Sequence, residues 1–353
     1  MNAKKVTIYD IAQAAGVSVG TVNRALSGKD RISPATKQLV LDTADRLGYR
    51  ANSAAQGLRR TPITIGAVLF CPVDEYVDAI IDGMSATAAA LEKYNVTVDV
   101  RKLDYTGSAE CLVKTEDTIR TFAKAGYRGV VLFLSSMLDE LDGVRALIDE
   151  YSDKGMCFAT VANDIPDTAR VVHVGVDAHT AGSMAAEVLE MTCPGGDVAL
   201  LVASEKSPVN GQYIDGFTDY AKDSVFSSVK IYEHLDDPVR VMAVTEQMLG
   251  ENPNLKGIYM ATASSVIACD CIRQQNRRDL AIITTDLLRE TPAMLKEHLS
   301  TAAIFQNPYR QGKNVLRYLY DYITRASGEH VHLIAPHILL ASNVDAHLSE
   351  ENL

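Results

Sequence analysis

Beyond residue 62 the chain alternates between two kinds of hydrophobic pattern. Short, β-branched apolar runs occur at ITIGAVLF (63–70), VTVDV (96–100), GVVLFL (129–134), MCFATVA (156–162), VVHVG (171–175), DVALLVA (197–203), GIYMA (257–261) and AIITT (281–285). Between them, as at 79–94, 108–125, 180–192, 208–222 and 263–275, apolar residues recur at helical spacing. A continuous apolar run reads as a strand covered on both faces. Strands alternating with amphipathic helices read as a parallel sheet with helices on either side. About ten such strands are too many for one sheet of ordinary size, so the pattern predicts two doubly wound subdomains.

The first fifty residues carry a different pattern, which predicts three short helices. The first runs from about Ile8 to Ala14 and is stopped by Gly16. The second opens at Ser18, a good N-cap, and runs to about Ala25, with Gly28 beyond. The third starts at Ser33-Pro34, a cap followed by proline, and ends at Leu47 before Gly48. Leu39, Val40, Thr43, Ala44 and Leu47 recur at helical spacing and predict one buried face. Ala12, Ala15, Val17, Val22 and Leu26 complete a small core. The short glycine-containing turn between the first two helices is the signature of a helix-turn-helix. Residues 51–62, ANSAAQGLRRTP, form a linker in which Asn52 is placed to cap a short helix through Leu58. Gly57 weakens that helix, and it is far too short to persist alone.

Charge sharpens this division. The whole chain carries a net charge of −11, yet residues 1–62 hold ten Lys/Arg against four Asp. A basic head on an acidic body is the layout of a DNA-binding module joined to something else. No apolar run approaches the roughly 20 residues of a membrane span. The start, MNAKKVTIYD, has no apolar signal region, so a cytoplasmic protein in the bacterial nucleoid-associated pool is expected. The six cysteines form no CxxC and read as reduced thiols. No metal or cofactor is expected.

The segments TIYDIAQAAGVSVGTVNRALSG, ISPATKQLVLDTADRLGY and NSAAQGLR closely resemble the head of LacI/GalR-family transcriptional regulators, in the family's order and spacing. The remainder resembles that family's periplasmic-binding-protein-like core, of the sugar-type branch. NDIPD, VGVDAHTAGSMAAEVL, GFTDYA, TTDLLRETPAMLKE and AIFQNPYRQG carry this second resemblance. The fold it implies is multi-domain: an all-α helix-turn-helix head, a hinge helix, and an α/β core of two doubly wound parallel-sheet subdomains of periplasmic-binding-protein-like type I. The expected boundaries are 1–50 for the head and 51–62 for the hinge. The core subdomains are expected at 63–166 plus about 308–327, and at 167–307 plus about 328–345.

The resemblance implies roles residue by residue. Val19, Gly20 and Arg24 match positions that probe bases, and Arg is the commonest bidentate reader of guanine. Gly20 brings no side chain, and Val19 offers only apolar contact. Tyr9, Ser18, Thr21, Asn23 and Thr36 match phosphate or register positions. Leu58, with Ala55 beside it and Asn52 ahead, matches the hinge-helix wedge that enters the minor groove. Without the resemblance, Arg24 reads equally as a solvated charge and Leu58 as a packed one.

In a core of this kind, ligand binds between the subdomains at the carboxyl ends of strands. That rule selects Asp74, Tyr76 and Glu75 after the first strand, and Asn163 and Asp164 after 156–162. It also selects Asp286 after 281–285, and Gln306 with Asn307 after 302–305. Each acid alone reads equally as a helix cap. Two departures from the family pattern bear on the ligand. Tyr213 stands where relatives often have Arg, and Thr262-Ala263 stands where sugar-binding relatives often have Asn-Asp. Asn210 and Gln212 lie nearby as substitutes.

The expected function is a ligand-responsive, sequence-specific repressor of carbohydrate or related metabolism. Its expected partners are pseudo-palindromic double-stranded DNA, a sugar- or polyol-like effector and a second copy of itself. A solute-binding protein for uptake is the alternative, opposed by the basic head and the absent signal region. An enzyme is disfavoured, since no Walker, GxSxG, HExxH or CxxC motif occurs. His330 and His332 read as solvated structural residues. The tail LIAPHILLASNVDAHLSEENL has no leucine heptads, so a dimer is expected rather than a tetramer.

Overall fold

The computed structural model describes residues 6–26, 32–47, 61–134, 141–235, 237–325 and 330–351. The chain divides into two compact units, Met1–Thr61 and Pro62–Leu353.

The small unit holds α1 (Ile8–Ala15), α2 (Val19–Leu26) and α3 (Pro34–Arg46). Thr7 and Asp10 form a reciprocal capping box at the start of α1, and Gly16, at φ 65°, ends it in the left-handed region. Ser18 accepts the backbone N–H of Thr21 at 3.1 Å, and Ser33 accepts that of Thr36 at 3.2 Å. The core is Ile11, Ala12, Val22, Ala25, Val40 and Ala44, with Ala15, Val17, Val19 and Leu26 half-buried against it. Leu39, expected on the buried face, is instead 50% exposed, because α3 turns its Val40–Ala44 stripe inward. The hinge positions Asn52, Ala55 and Leu58 lie outside the described residues.

The large unit contains two six-stranded sheets. The first is built from β1 (Ile63–Leu69), β2 (Val96–Lys102), β3 (Gly129–Phe133), β4 (Cys157–Val161), β5 (Val172–Val176) and β11 (His330–Ile334). Its order is β11-β5-β4-β3-β1-β2, and every pairing is parallel. The second uses β6 (Asp197–Val202), β7 (Ser228–Glu233), β8 (Leu255–Ala261), β9 (Ala281–Thr285), β10 (Ala302–Phe305) and β12 (His337–Leu339). Its order is β12-β10-β9-β8-β6-β7, parallel except for β12.

Each sheet is covered on both faces, which is why its central strands are largely apolar, whereas the edge strands β2 and β7 carry exposed polar residues. On the first sheet, α4 (Asp74–Leu91) and α12 (Pro308–Arg325) bury Val77, Ile80, Met84, Val315 and Leu319 on one side. There α5 (Ser108–Lys124) and α6 (Asp142–Asp153) bury Ile119, Phe122, Val144 and Ile148 on the other. The second sheet repeats the plan with α7 (Ala178–Thr192) and α8 (Pro208–Ala221) against α9 (Pro238–Glu251) and α10 (Ser265–Gln274). Short α11 (Thr291–Lys296) and terminal α13 (Val344–Glu351) complete the second half.

The chain passes between the halves three times: after Val176, at Gln306–Asn307, and between β11 and β12. The first passage comes ten residues later than the 166/167 boundary expected from sequence, because β5 pairs with β4 and β11 in the first sheet. The 330–334 segment, expected in the second half, is an edge strand of the first.

Two helix pairs pack backbone to backbone. A Cβ on Gly312 would lie 1.9 Å from the carbonyl oxygen of Ile80, and one on Gly83 would lie 1.9 Å from that of Tyr309. The second half mirrors this, with a Cβ on Gly216 reaching 1.9 Å from the oxygen of His179 and one on Gly182 reaching 2.1 Å from that of Tyr213. Only glycine permits this depth, and it places the first turns of α12 and α8 at the junction of the halves.

Candidate ligand cleft and nucleic-acid interface

The carboxyl ends of both sheets meet around one cavity of about 80 Å³. The first half contributes Cys71 after β1, Tyr76 on the first turn of α4, Phe133, and Ala162 with Asn163 after β4. The second contributes Ala203, then Asn210 and Tyr213 from α8, Thr262 after β8, Asp286 after β9 and Gln306 after β10. This is the position the carboxyl-end rule assigns to a ligand in an open α/β sheet.

Gln306 organises the polar side. Its backbone N–H and side-chain Nε2 donate to Asp286 at 3.2 and 2.7 Å, and its Oε1 accepts the Tyr213 hydroxyl at 2.8 Å. Asp286 is 1% exposed and sits at φ 72°, a left-handed conformation rare for a residue with a side chain. Such strain is held only where the surroundings over-determine it. On the other side, buried Gln311 donates to the Gln306 carbonyl at 3.0 Å and to the Tyr76 hydroxyl at 3.4 Å. Burial, reinforced by the charge of Asp286, drives the Tyr76 phenol well above its ordinary range, and burial does the same to Tyr213. Both remain neutral hydroxyls. Asn163 donates to the Leu134 carbonyl at 2.8 Å, and Thr262 accepts the backbone N–H of Ser264 at 3.1 Å. Asn210 is 3% exposed and its Nδ2 has no hydrogen-bond partner. A buried donor left this way costs free energy until an acceptor reaches it.

Among the described residues the lining contains no Lys, Arg or His. Alanines 162, 203, 261 and 263 at the strand ends leave room where larger side chains would fill the cavity. Its volume lies far below the roughly 300–1,000 Å³ of drug-sized sites, so a larger ligand requires the halves to part.

Of the residues selected from sequence, Tyr76, Asn163, Tyr213, Thr262, Asp286 and Gln306 all line this cavity. Two do not. Asp74 is 76% exposed and pairs with Lys102 at 2.9 Å, because the first turn of α4 aims it outward while Tyr76 points in. Asp164 turns away to Arg170, which donates Nη2 to it at 2.7 Å, and to the Thr160 hydroxyl at 2.8 Å. Gln212, considered as a substitute donor, is exposed on the outer side of α8. Asn210, the other substitute named from sequence, does line the cavity, and Cys71 and Phe133 were the omissions. Asn210 follows the same signal as Tyr76, a polar residue on the first turn after a central strand.

In the head, Gly20, Asn23 and Arg24 form the exposed side of α2, and Arg24 donates to the Thr21 hydroxyl at 3.4 Å. Ser18 and Thr21 bond each other at 2.9 Å at the start of the same helix. Tyr9 is 69% exposed, and Thr36 bonds its own cap, Ser33, at 2.7 Å. Val19, expected to face bases, packs partly into the head core. The α2 surface therefore offers one long cation, one amide and a bare backbone at Gly20.

A helix-turn-helix head carried on a two-lobed, cleft-bearing core defines a DNA-binding regulator with a ligand-binding core. Residues 7–52 match the profile of bacterial regulatory proteins of the lacI family, and residues 65–329 match that of the periplasmic binding protein domain. The chain belongs to the LacI family of transcriptional regulators, with a periplasmic-binding-protein-like core. It is 25% identical over 348 residues to the HTH-type transcriptional regulator pepR1 of Lactobacillus delbrueckii subsp. lactis, spanning 96% of this chain and 98% of that one. Over 57 residues, 16% of this chain and 17% of the other, it is 54% identical to the maltose regulon regulatory protein MalI of Escherichia coli K12. Its fold resembles that of GanP, a glucose-galactose binding protein from Geobacillus stearothermophilus. That likeness has a TM-score of 0.71 at 21% identity, over 80% of this chain and 99% of the other.

Proposed function

We propose that the chain is a homodimeric cytoplasmic repressor of carbohydrate-related genes, released from or held on a pseudo-palindromic operator by a small, uncharged, hydroxyl-rich effector. The observation that carries the effector class is the lining of the cleft. Asp286 and Gln306 present acceptors, Asn210 presents an unmatched donor, and among the described residues no cationic side chain is there to hold a phosphate or carboxylate. Such pairing of acceptors and donors suits hydroxyls. Phe133 and Tyr76, whose rings lie 5.7 Å apart, add an aromatic wall suited to the apolar face of a ring. The solute-binding likeness of the fold and the maltose regulon named for one relative support the same reading. Asp286, Gln306, Tyr213, Tyr76, Asn163, Thr262 and Asn210 are the proposed effector contacts. Arg24, Asn23, Gly20 and Thr21, with Ser18, Tyr9, Val19 and Thr36, are the proposed DNA contacts.

A ligand seated between the halves changes their angle, and so the spacing of two heads in a dimer. The test is a thermal-shift screen of neutral monosaccharides and polyols, repeated on Asp286→Asn. A concentration-dependent rise in melting temperature that vanishes in the variant is expected, because a cleft ligand stabilises by mass action. An undiminished rise in the variant would move the site elsewhere.

A further inference from the structure

We propose that a second effector site, for a small phosphorylated metabolite, lies on the far face of the Gln306–Asn307 crossing. A groove of about 300 Å³ opens there, lined by Asn307, Tyr309, Arg310, Lys313, Asn314 and His347, with Phe305 at its base. Among the described residues no carboxylate lines it.

The chain is acidic overall, and cations such as Lys102, Arg120, Arg170, Lys222, Arg277 and Lys296 are held in ion pairs. Arg310 and Lys313 stand together on the exposed first turns of α12 without a carboxylate partner among the described residues. As i, i+3 neighbours on one helix their charges repel each other modestly, and an anion between them would relieve that. They also stand at the positive end of an 18-residue helix. Asn307, at φ 54°, accepts the backbone N–H of Arg310 on its side chain at 2.9 Å and caps that turn. A guanidinium and an ammonium side by side suit a phosphate dianion. Tyr309 and the amide of Asn314 line the same groove, and its volume exceeds what a bare phosphate needs. The favoured ligand therefore has a polar carbon skeleton as well as a phosphoryl group.

The groove straddles the two halves. Arg310 and Lys313 belong to α12, which packs on the first sheet, whereas His347 lies on α13 with its ring 5.9 Å from Phe305 in the second. Gln306 lines the cleft and Asn307 lines the groove, so adjacent residues of one crossing serve the two cavities. Gln311, beside Arg310, bonds both Gln306 and Tyr76 inside the cleft. An anion drawing α12 and α13 together therefore acts on the angle that the cleft ligand also sets, and the coupling is reciprocal.

The experiment is calorimetric titration of the full-length protein with glucose 6-phosphate, glycerol 3-phosphate and inorganic phosphate at fixed ionic strength. It is repeated on Arg310→Ala/Lys313→Ala, whose exposed side chains can be cut back without touching the core, and on Asp286→Asn. Saturable binding of a sugar or polyol phosphate is expected, weakened at least about tenfold in the double variant through loss of charge-assisted hydrogen bonds. Asp286→Asn is expected to leave it unchanged. The proposal falls if neither phosphate ester binds saturably or if inorganic phosphate binds as tightly as the esters. It also falls if the double variant binds normally, which would place the anion on the basic head, or if Asp286→Asn abolishes binding, which would place it in the cleft.

Discussion

Glu75, on the first turn of α4, accepts the backbone N–H of Arg289 at 2.8 Å across the mouth of the cleft. Its other oxygen lies 3.2 Å from the Arg289 guanidinium. The two residues come from opposite halves, so this carboxylate is a clasp on the closed form. The guanidinium is 81% exposed and adds little, whereas the bond to the backbone N–H is charge-assisted.

Glu75→Ala should therefore speed dissociation of the cleft ligand about threefold to tenfold, the worth of one modest hydrogen bond to a charged group. Arg289→Ala, which keeps the backbone donor, should change it little. Stopped-flow release of the ligand found in the thermal-shift screen distinguishes the two. Equal losses in both variants would show that the side-chain ion pair is the clasp.

Arg24→Ala should weaken operator binding by about 1–3 kcal/mol and relax selectivity at one base pair, if its side chain reads guanine. Selection from a randomised site library reports this directly. A uniform loss across all sequences, with a shallower salt dependence, would make Arg24 a phosphate contact instead.

Gly312→Ala should destabilise the protein by about 1–3 kcal/mol or more, since its Cβ would meet the Ile80 carbonyl oxygen at 1.9 Å and that oxygen belongs to a rigid helix. Gly250→Ala is the control. Nothing lies within 4 Å of its Cβ, and α9 should gain up to about 1 kcal/mol. Denaturant midpoints of the two variants should move in opposite directions.

His173 makes stability depend on pH. Burial, with the positive charge of Arg170, lowers its pKa to about 4 against the ordinary 6.5, although Asp164 works the other way. Thr160 donates its hydroxyl hydrogen to Asp164 at 2.8 Å and so accepts from Nδ1–H of a neutral His173 at 2.9 Å. Below pH 6.5 the unfolded chain takes up a proton that the fold refuses, so stability falls as pH drops from 6.5 towards 4. The loss is at most about 1.4 kcal/mol per pH unit. Asp164, held below its usual range by Arg170, His173 and Thr160 despite burial, extends the fall to lower pH. Denaturant titrations of His173→Gln should show a shallower fall between pH 6.5 and 4, and an unchanged slope would remove His173 from the account.

The architecture was legible because strands buried on both faces cannot hide their apolar runs, and caps such as Ser18 and Ser33 announce helix starts. Which strand joins which sheet was not legible. The run at 172–176 is apolar in either half, and only its pairing with β4 and β11 places it in the first. Strand β11 is short and half-exposed, so its HVHLI pattern carries little signal. In the cleft, the strand-end rule reached Tyr76, Asn163, Asp286 and Gln306, and the family pattern pointed to Tyr213 and Thr262. The rule erred at Asp74, Glu75 and Asp164, because an acid after a strand reads alike whether it faces a ligand, Lys102, Arg289 or Arg170.

The triple crossing of the chain bears on how the protein is made. The first sheet begins at Ile63 but takes one of its two 18-residue covering helices from 308–325 and an edge strand from 330–334. During synthesis the first half therefore waits, with the apolar face that α12 will cover still open, until nearly the whole chain has left the ribosome. The second half, assembled mostly from 178–305, is free to fold sooner. A message cut short near codon 306 would yield a second half lacking only its edge strand β12 and α13, beside a first half that cannot close, a species for quality control rather than a smaller regulator.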